Sequence, residues 1–174
     1  MNSTNHYPLY QQAVQDYGPD IARFTAGYER DPARRRELLQ EVHLALWQSL
    51  NQYKADCSLR TWVYRVAHNV GVSHIQRSLR NAERHSVTLD EIDSMPSNAT
   101  EIAQTERRLD LQKVMALIHR LAPLDRQVML LYLEDMDAAG IADITGLSAR
   151  NVATKVHRIK AVLAKQLGIE RKTA

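Results

Sequence analysis

The chain is poor in the residues that most often announce a covalent or catalytic framework. It holds one cysteine, Cys57, in 174 residues. A single thiol excludes an internal disulfide framework and any cysteine-rich metal site, and it suits a reducing compartment. No apolar run approaches the roughly eighteen residues of a membrane span. The opening stretch MNSTNHYPLYQQAV has no basic start followed by an apolar segment, so it does not read as a secretory signal. A cytoplasmic protein without membrane insertion is expected. Charge of one sign is not in great excess either, because the net charge is only +3. The distribution of charge therefore carries more information than its sum. Phosphate-binding glycine loops, paired-histidine zinc helices and nucleophile elbows are missing. His43, His68, His74, His85 and His157 are scattered along the chain. Neither an enzyme nor a metal or cofactor is expected.

What the sequence does contain is helical periodicity. Pro19, Pro32, Pro96 and Pro123 fall at breaks in the pattern, where proline suits a first helical turn. Between them, apolar residues recur at spacings of three and four, and no run alternates convincingly with period two. Leu38, Val42 and Leu46, joined by Leu39, Ala45 and Trp47, make one stripe. Leu59, Trp62, Val63, Val66 and Val70 make another. The pattern predicts about eight helices, near 7–17, 19–30, 32–50, 58–80, 105–121, 124–134, 137–145 and 148–167. Residues 86–105 break it, with four acids, no lysine or arginine, and scattered polar residues around a proline. The chain thus reads as all-α, with two small helical domains, 1–85 and 106–174, joined by an acidic linker over 86–105. Basic residues flank that linker: Arg77, Arg80 and Arg84 before it, Arg107 and Arg108 after it.

The stretch GLSARNVATKVHRIKAVL, residues 146–163, carries a specific signal. Gly146 can end one helix in the left-handed conformation, Leu147 can pack as a staple, and Ser148 is a good N-cap for the next helix. Val152, Val156, Ile159 and Leu163 then share one face. Arg150, Thr154, His157 and Arg158 point away from it, flanked by Asn151 and Lys155. A helix, a short turn and a basic second helix make a helix-turn-helix, whose second helix fits the major groove. Arginine and asparagine can read base edges, while Ser148, Thr154, Lys155 and the helix N-terminus suit phosphates. A solvated surface helix is the plain alternative for these residues taken alone.

In SLRTWVYRVAHNVGVSHIQRSLR, residues 58–80, the sequence predicts Arg60, Tyr64 and His68 on the face opposite the apolar stripe. Thr61 and Asn69 lie at its sides, and Arg77 and Arg80 continue it. Rings and amides beside arginines suit stacking on unpaired bases. Trp62 is expected in the core.

The stretch ELLQEVHLALWQSLNQYKADCSLRTWVYRVAHNVGVSHIQR, followed by the helix-turn-helix, resembles a bacterial RNA polymerase sigma factor of the extracytoplasmic-function group. The likeness runs from about Tyr17 to Leu167, with two separate signatures in the right order. It implies that the helix bearing Glu37, Gln40 and Glu41 docks on the clamp helices of the polymerase β′ subunit, with contacts to the β subunit elsewhere. It implies that the segment from Tyr53 to Arg80 binds the −10 promoter element, with Asn69 in a pocket for a flipped base. The helix-turn-helix would read the −35 element, and an anti-sigma factor is a further candidate partner. Two boxes about sixteen base pairs apart lie ~55 Å apart at ~3.4 Å per pair. Twenty extended residues reach ~65 Å at ~3.3 Å each, so the linker suffices.

The sequence also departs from that family. Arg34, Arg35 and Arg36 stand where an acidic run is usual, which should weaken polymerase binding. Arg150 stands where many members carry a small residue. Gly140, inside the first helix of the reading motif, should weaken it by about 1 kcal/mol relative to alanine. The rival reading is a free-standing helix-turn-helix regulator, which would need neither the LLQEV helix nor residues 58–80.

Overall fold

A computed structural model describes residues 7–84 and 102–168, with side chains described for 7–81 and 110–168. Seven α-helices and no strand occur among the described residues: α1 (Tyr7–Tyr28), α2 (Pro32–Ser49), α3 (Leu59–Arg84), α4 (Ile102–Ile118), α5 (Pro123–Leu133), α6 (Ala138–Thr145) and α7 (Ala149–Gln166). A short 3-10 turn, Leu50–Gln52, follows α2.

The helix break expected at Pro19 does not occur, since α1 runs through it. Ala13, Ile21, Phe24 and Tyr28 are buried along one side of α1, with Tyr17 packed beside them. This packing on α2 and α3 holds both halves of the helix in line. Proline forfeits one backbone hydrogen bond, and it does so here on the exposed side, where water can serve the orphaned carbonyl. The other starts follow local chemistry. Asp31 caps α2 by accepting from the Arg34 amide at 2.8 Å, with Pro32 opening the helix. Ser58 accepts from the Thr61 amide at 3.1 Å at the head of α3. Pro123 opens α5, which has no side-chain N-cap.

The predicted linker over 86–105 falls mostly outside the described residues, but its last four are helical because α4 begins at Ile102. The helix expected over 19–30 is the second half of α1, and the others appear within a few residues of expectation.

The first three helices form one bundle, and α5, α6 and α7 form another. The two are docked, with α3 packed against α1 and α2 on one flank and against α5 and α6 on another. Gly27 on α1 permits the close approach of α5, because a Cβ there would meet Leu130 Cδ2 at 2.5 Å. Polar contacts cross the same seam. Arg23 grips the Glu134 carboxylate through Nε and Nη2 at 2.8 and 2.7 Å. Arg65 donates to the Asp143 carbonyl at 3.0 Å, and His119 lies 2.9 Å from the Ala26 carbonyl. Covered from both bundles, α3 exposes only Asn69 and Ser73 between residues 59 and 75, whereas residues 76–81 all lie in solvent.

Candidate nucleic-acid interface

In the second bundle, α6 ends on Gly146, whose φ of 75° is the left-handed conformation that a side chain would strain. Two residues on, Ser148 Oγ accepts from the Asn151 amide at 3.2 Å and starts α7. Val152, Ile159 and Leu163 are buried against α5 and α6, and Val156 is half-buried beside them. That seating turns Ser148, Arg150, Asn151, Thr154, His157 and Arg158 to solvent. These six therefore line up as the helix-turn-helix pattern anticipates. Thr154 spends its hydroxyl proton on the Arg150 carbonyl at 3.0 Å.

Lys155 departs from expectation. Its ammonium contacts Asp125 Oδ1 on α5 at 2.6 Å and its side chain is only 26% exposed. Asp125 Oδ2 also takes Arg158 Nη2 at 3.1 Å, yet the Arg158 side chain stays 64% exposed. One carboxylate thus steadies this side of α7 while leaving most of Arg158 in solvent. Sequence reasoning missed Asp125, since nothing in the α5 pattern points to α7. Gly140 is not an unsupported helix interior either. Its amide donates to the capping Asp137 carboxylate at 2.8 Å, and an added Cβ would crowd that oxygen at 3.1 Å. Alanine here would push the capping carboxylate aside by a few tenths of an ångström, which works against the gain of about 1 kcal/mol expected from helix propensity.

In the first bundle, the structure overturns part of the expected DNA face. Tyr64 is 1% exposed and His68 0%. The Tyr64 hydroxyl donates to Asp20 Oδ2 at 2.9 Å, and its ring packs edge-on against Phe24 with centroids 4.7 Å apart. His68 Nδ1 lies 2.6 Å from the Tyr28 hydroxyl, with the Phe24 ring tilted against the imidazole, centroids 4.3 Å apart. Burial pushes the His68 pKa down to about 3, so its imidazole is neutral at pH 7. Neither ring can meet a base. The physical reason is that this part of α3 buries a broader arc than its aliphatic stripe indicates; the Tyr64 hydroxyl and His68 Nδ1 find partners inside, while His68 Nε2 is buried without one. Trp62 is conversely only half-buried, its indole N–H donating to Ser49 Oγ at 3.1 Å.

Arg60 is half-buried too. Its guanidinium lies 4.9 Å over the Tyr64 ring and donates to the Glu134 carbonyl at 2.7 Å. Thr61 is likewise half-buried and bonds Ser58 at 2.9 Å. Asn69, Arg77 and Arg80 are exposed. Asn69 and Arg77 line an open groove of about 490 Å³ between α2 and α3, together with Glu41, Leu44, Gln48 and Ser73. Glu37, Gln40 and Glu41 are exposed along α2, and Glu41 pairs with Arg77 at 2.5 Å. Leu44, 57% exposed beside them, is an apolar contact that the α2 periodicity does not single out. Of the arginine run, Arg35 folds back onto the Glu29 and Arg30 carbonyls at 3.1 and 2.9 Å, whereas Arg34 and Arg36 face solvent.

The described residues therefore form an all-helical, two-bundle protein with a helix-turn-helix in the second bundle and an open groove between α2 and α3 in the first. Known proteins place it further. Residues 13–81 match the sigma-70 region 2 family and residues 111–163 the sigma-70 region 4 family. RNA polymerase sigma factor NccH of Alcaligenes xylosoxydans xylosoxydans is 25% identical over 163 residues, spanning 88% of this chain and 84% of that protein. The probable RNA polymerase sigma factor RfaY of Xanthomonas campestris pv. campestris is 27% identical across 79% of this chain, which spans only 35% of that protein. Among solved structures, the sigma factor RpoE in complex with the anti-sigma factor NepR from Bartonella quintana superposes with a TM-score of 0.73 at 16% identity, covering 93% of this chain and 98% of that one. CnrH in complex with the cytosolic domain of CnrY gives 0.66 at 19% identity, covering 96% and 92%. The chain belongs to the sigma-70 family, in its extracytoplasmic-function group, and is an alternative sigma factor of transcription initiation. No described helix is long and apolar enough to cross a membrane.

Proposed function

We propose a division of labour along the chain. Residues 1–85 bind core RNA polymerase and the −10 element, 106–174 read the −35 element, and 86–105 span between them. The exposed strip Glu37, Gln40, Glu41 and Leu44 on α2 meets the β′ clamp helices, with further contact to the β subunit. Asn69, at the lip of the adjoining groove, receives an unpaired base of the −10 element. Arg77 and Arg80 hold its phosphates, and Arg60 and Thr61 join them once the two bundles part. Arg150, Asn151, His157 and Arg158 read −35 bases, with Ser148 on the backbone and Thr154 joining it once its hydroxyl turns from the Arg150 carbonyl to a phosphate. Lys155 supports Arg158 through their shared Asp125. The protein acts beside polymerase in the cytoplasm, carries no catalysis of its own, and takes an anti-sigma factor as a regulatory partner.

The observation that supports this most is the juxtaposition of the exposed α2 strip and Asn69 on one groove, in the same chain as a capped, outward-facing reading helix. A free-standing regulator has no use for the first of these. Separable defects test the scheme. Arg150→Ala should weaken only promoters with an intact −35 element, and Glu41→Lys should reduce affinity for core polymerase with no DNA present. If Glu41→Lys leaves core binding unchanged, the α2 strip is not the docking face.

A further inference from the structure

Where α1, the head of α2, the middle of α3 and the α4–α5 turn come together, they leave an open cavity of about 510 Å³. It is lined by Arg30, Arg34, Arg120 and Arg126, with His74 and a single carboxylate, Glu29. That carboxylate is already used: Oε2 lies 2.8 Å from His74 Nε2, and Oε1 accepts from the Asp31 amide at 2.9 Å. Four guanidinium groups therefore share a pocket with no uncommitted negative charge.

Arg126 makes the imbalance acute. It is only 8% exposed, and its Nη2 reaches just two backbone carbonyls, those of His119 and Leu121. Its Nε is buried without a partner. No described acid pairs with it; burial pushes its pKa down, and Arg30 adds to that while the Tyr28 hydroxyl opposes it. A guanidinium taken from water without a counter-charge is costly, and buried charges are ordinarily paired or bind an ion. Arg120 and Arg126 also flank the start of α5, which lacks a side-chain cap and adds positive potential. Arg34 and Arg120 are exposed and make no side-chain hydrogen bond or ion pair among the described residues, so they can close over a ligand. Arginine forks match phosphate oxygens two at a time. The volume exceeds the needs of one phosphate and falls in the usual range of small-ligand sites.

We propose that this cavity is a binding site for a small polyphosphate anion, held by Arg30, Arg34, Arg120 and Arg126. It lies at the seam of the two bundles, away from the α2–α3 groove and from the outward face of α7. The chemistry is that of linked phosphoryl groups, free or carried on a nucleoside.

Isothermal titration of the full chain with inorganic pyrophosphate, and separately with ATP, tests this against sodium sulfate and sodium chloride at equal ionic strength. The variants are Arg34→Ala/Arg120→Ala, both surface substitutions, and Arg150→Ala on α7 as the comparison; circular dichroism checks that each is folded. The proposal expects saturable, roughly one-to-one binding of pyrophosphate, at least tenfold tighter than sulfate. It expects a tenfold or greater loss in the double variant and none in Arg150→Ala. Binding of ATP but not pyrophosphate, with the same variant pattern, supports the site with a nucleoside-borne ligand. Absence of binding beyond the salt controls overturns the proposal. So does binding that survives in the double variant or falls equally in Arg150→Ala.

Discussion

His68 offers a thermodynamic handle on the packing of α3. The imidazole is fully buried, and burial lowers its pKa from the ordinary 6.5 to about 3. In the unfolded chain it titrates near 6.5, so below that pH the unfolded state takes up a proton that the folded state refuses. The stability that His68 secures by staying neutral is complete above pH 6.5 and drains away as pH falls toward 3. The slope approaches ~1.4 kcal/mol per pH unit, so about 2 kcal/mol is lost between pH 7.5 and pH 5. Urea unfolding at pH 7.5, 6.5, 5.8 and 5 measures this directly. His68→Gln keeps an amide near the Tyr28 hydroxyl but cannot titrate. The variant is expected to be less stable at every pH, and its stability should fall by about 2 kcal/mol less than wild type across the range. Comparing slopes cancels other groups, including His119, whose pKa is also held down, to about 4, by burial and by Arg126 and Arg30. Parallel pH profiles for wild type and variant would refute the reasoning and return His68 to an exposed face of α3.

Other consequences concern the interfaces. Arg158→Ala should cost about 1–3 kcal/mol at one −35 position if the residue contacts a base, as measured by competition binding to a set of −35 variants; equal loss on all of them would make it a phosphate contact. Asn69→Ala should impair opening of duplex promoters and alter −10 preference while core binding persists, and unchanged opening on every −10 variant would remove Asn69 from the base pocket. Replacing Arg34 and Arg36 with acids should tighten core binding, most at low salt, because close unit charges interact by ~1–4 kcal/mol before screening; unchanged or weaker affinity would show that the run does not oppose the clamp.

The helix-turn-helix was legible almost residue by residue, because its signals are local. Gly146 must be left-handed, Ser148 must cap, and a three-four repeat sets the face of α7. The α2 strip was legible only through the family resemblance, which points to Glu37, Gln40 and Glu41, and the exposed Leu44 beside them escaped it. The reading failed where distant contacts decide. Pro19 signals a break by local rules, yet packing on α2 and α3 carries α1 through it. Tyr64 and His68 look polar enough for a surface, but α3 is covered on several sides and supplies them with Asp20 and Tyr28. Lys155 and Arg60 are taken up by Asp125 and Glu134, partners 30 and 74 residues away in sequence. No periodicity encodes such pairs.

The central claim is that one chain joins a polymerase-docking face to a promoter-reading face. Run-off transcription by purified core RNA polymerase on a genomic promoter library, with and without the protein, tests it most directly. The account predicts transcripts from a small set of start sites sharing −10 and −35 elements, seen only when the protein is present. Specific DNA binding with no start site beyond those of core polymerase alone would contradict it.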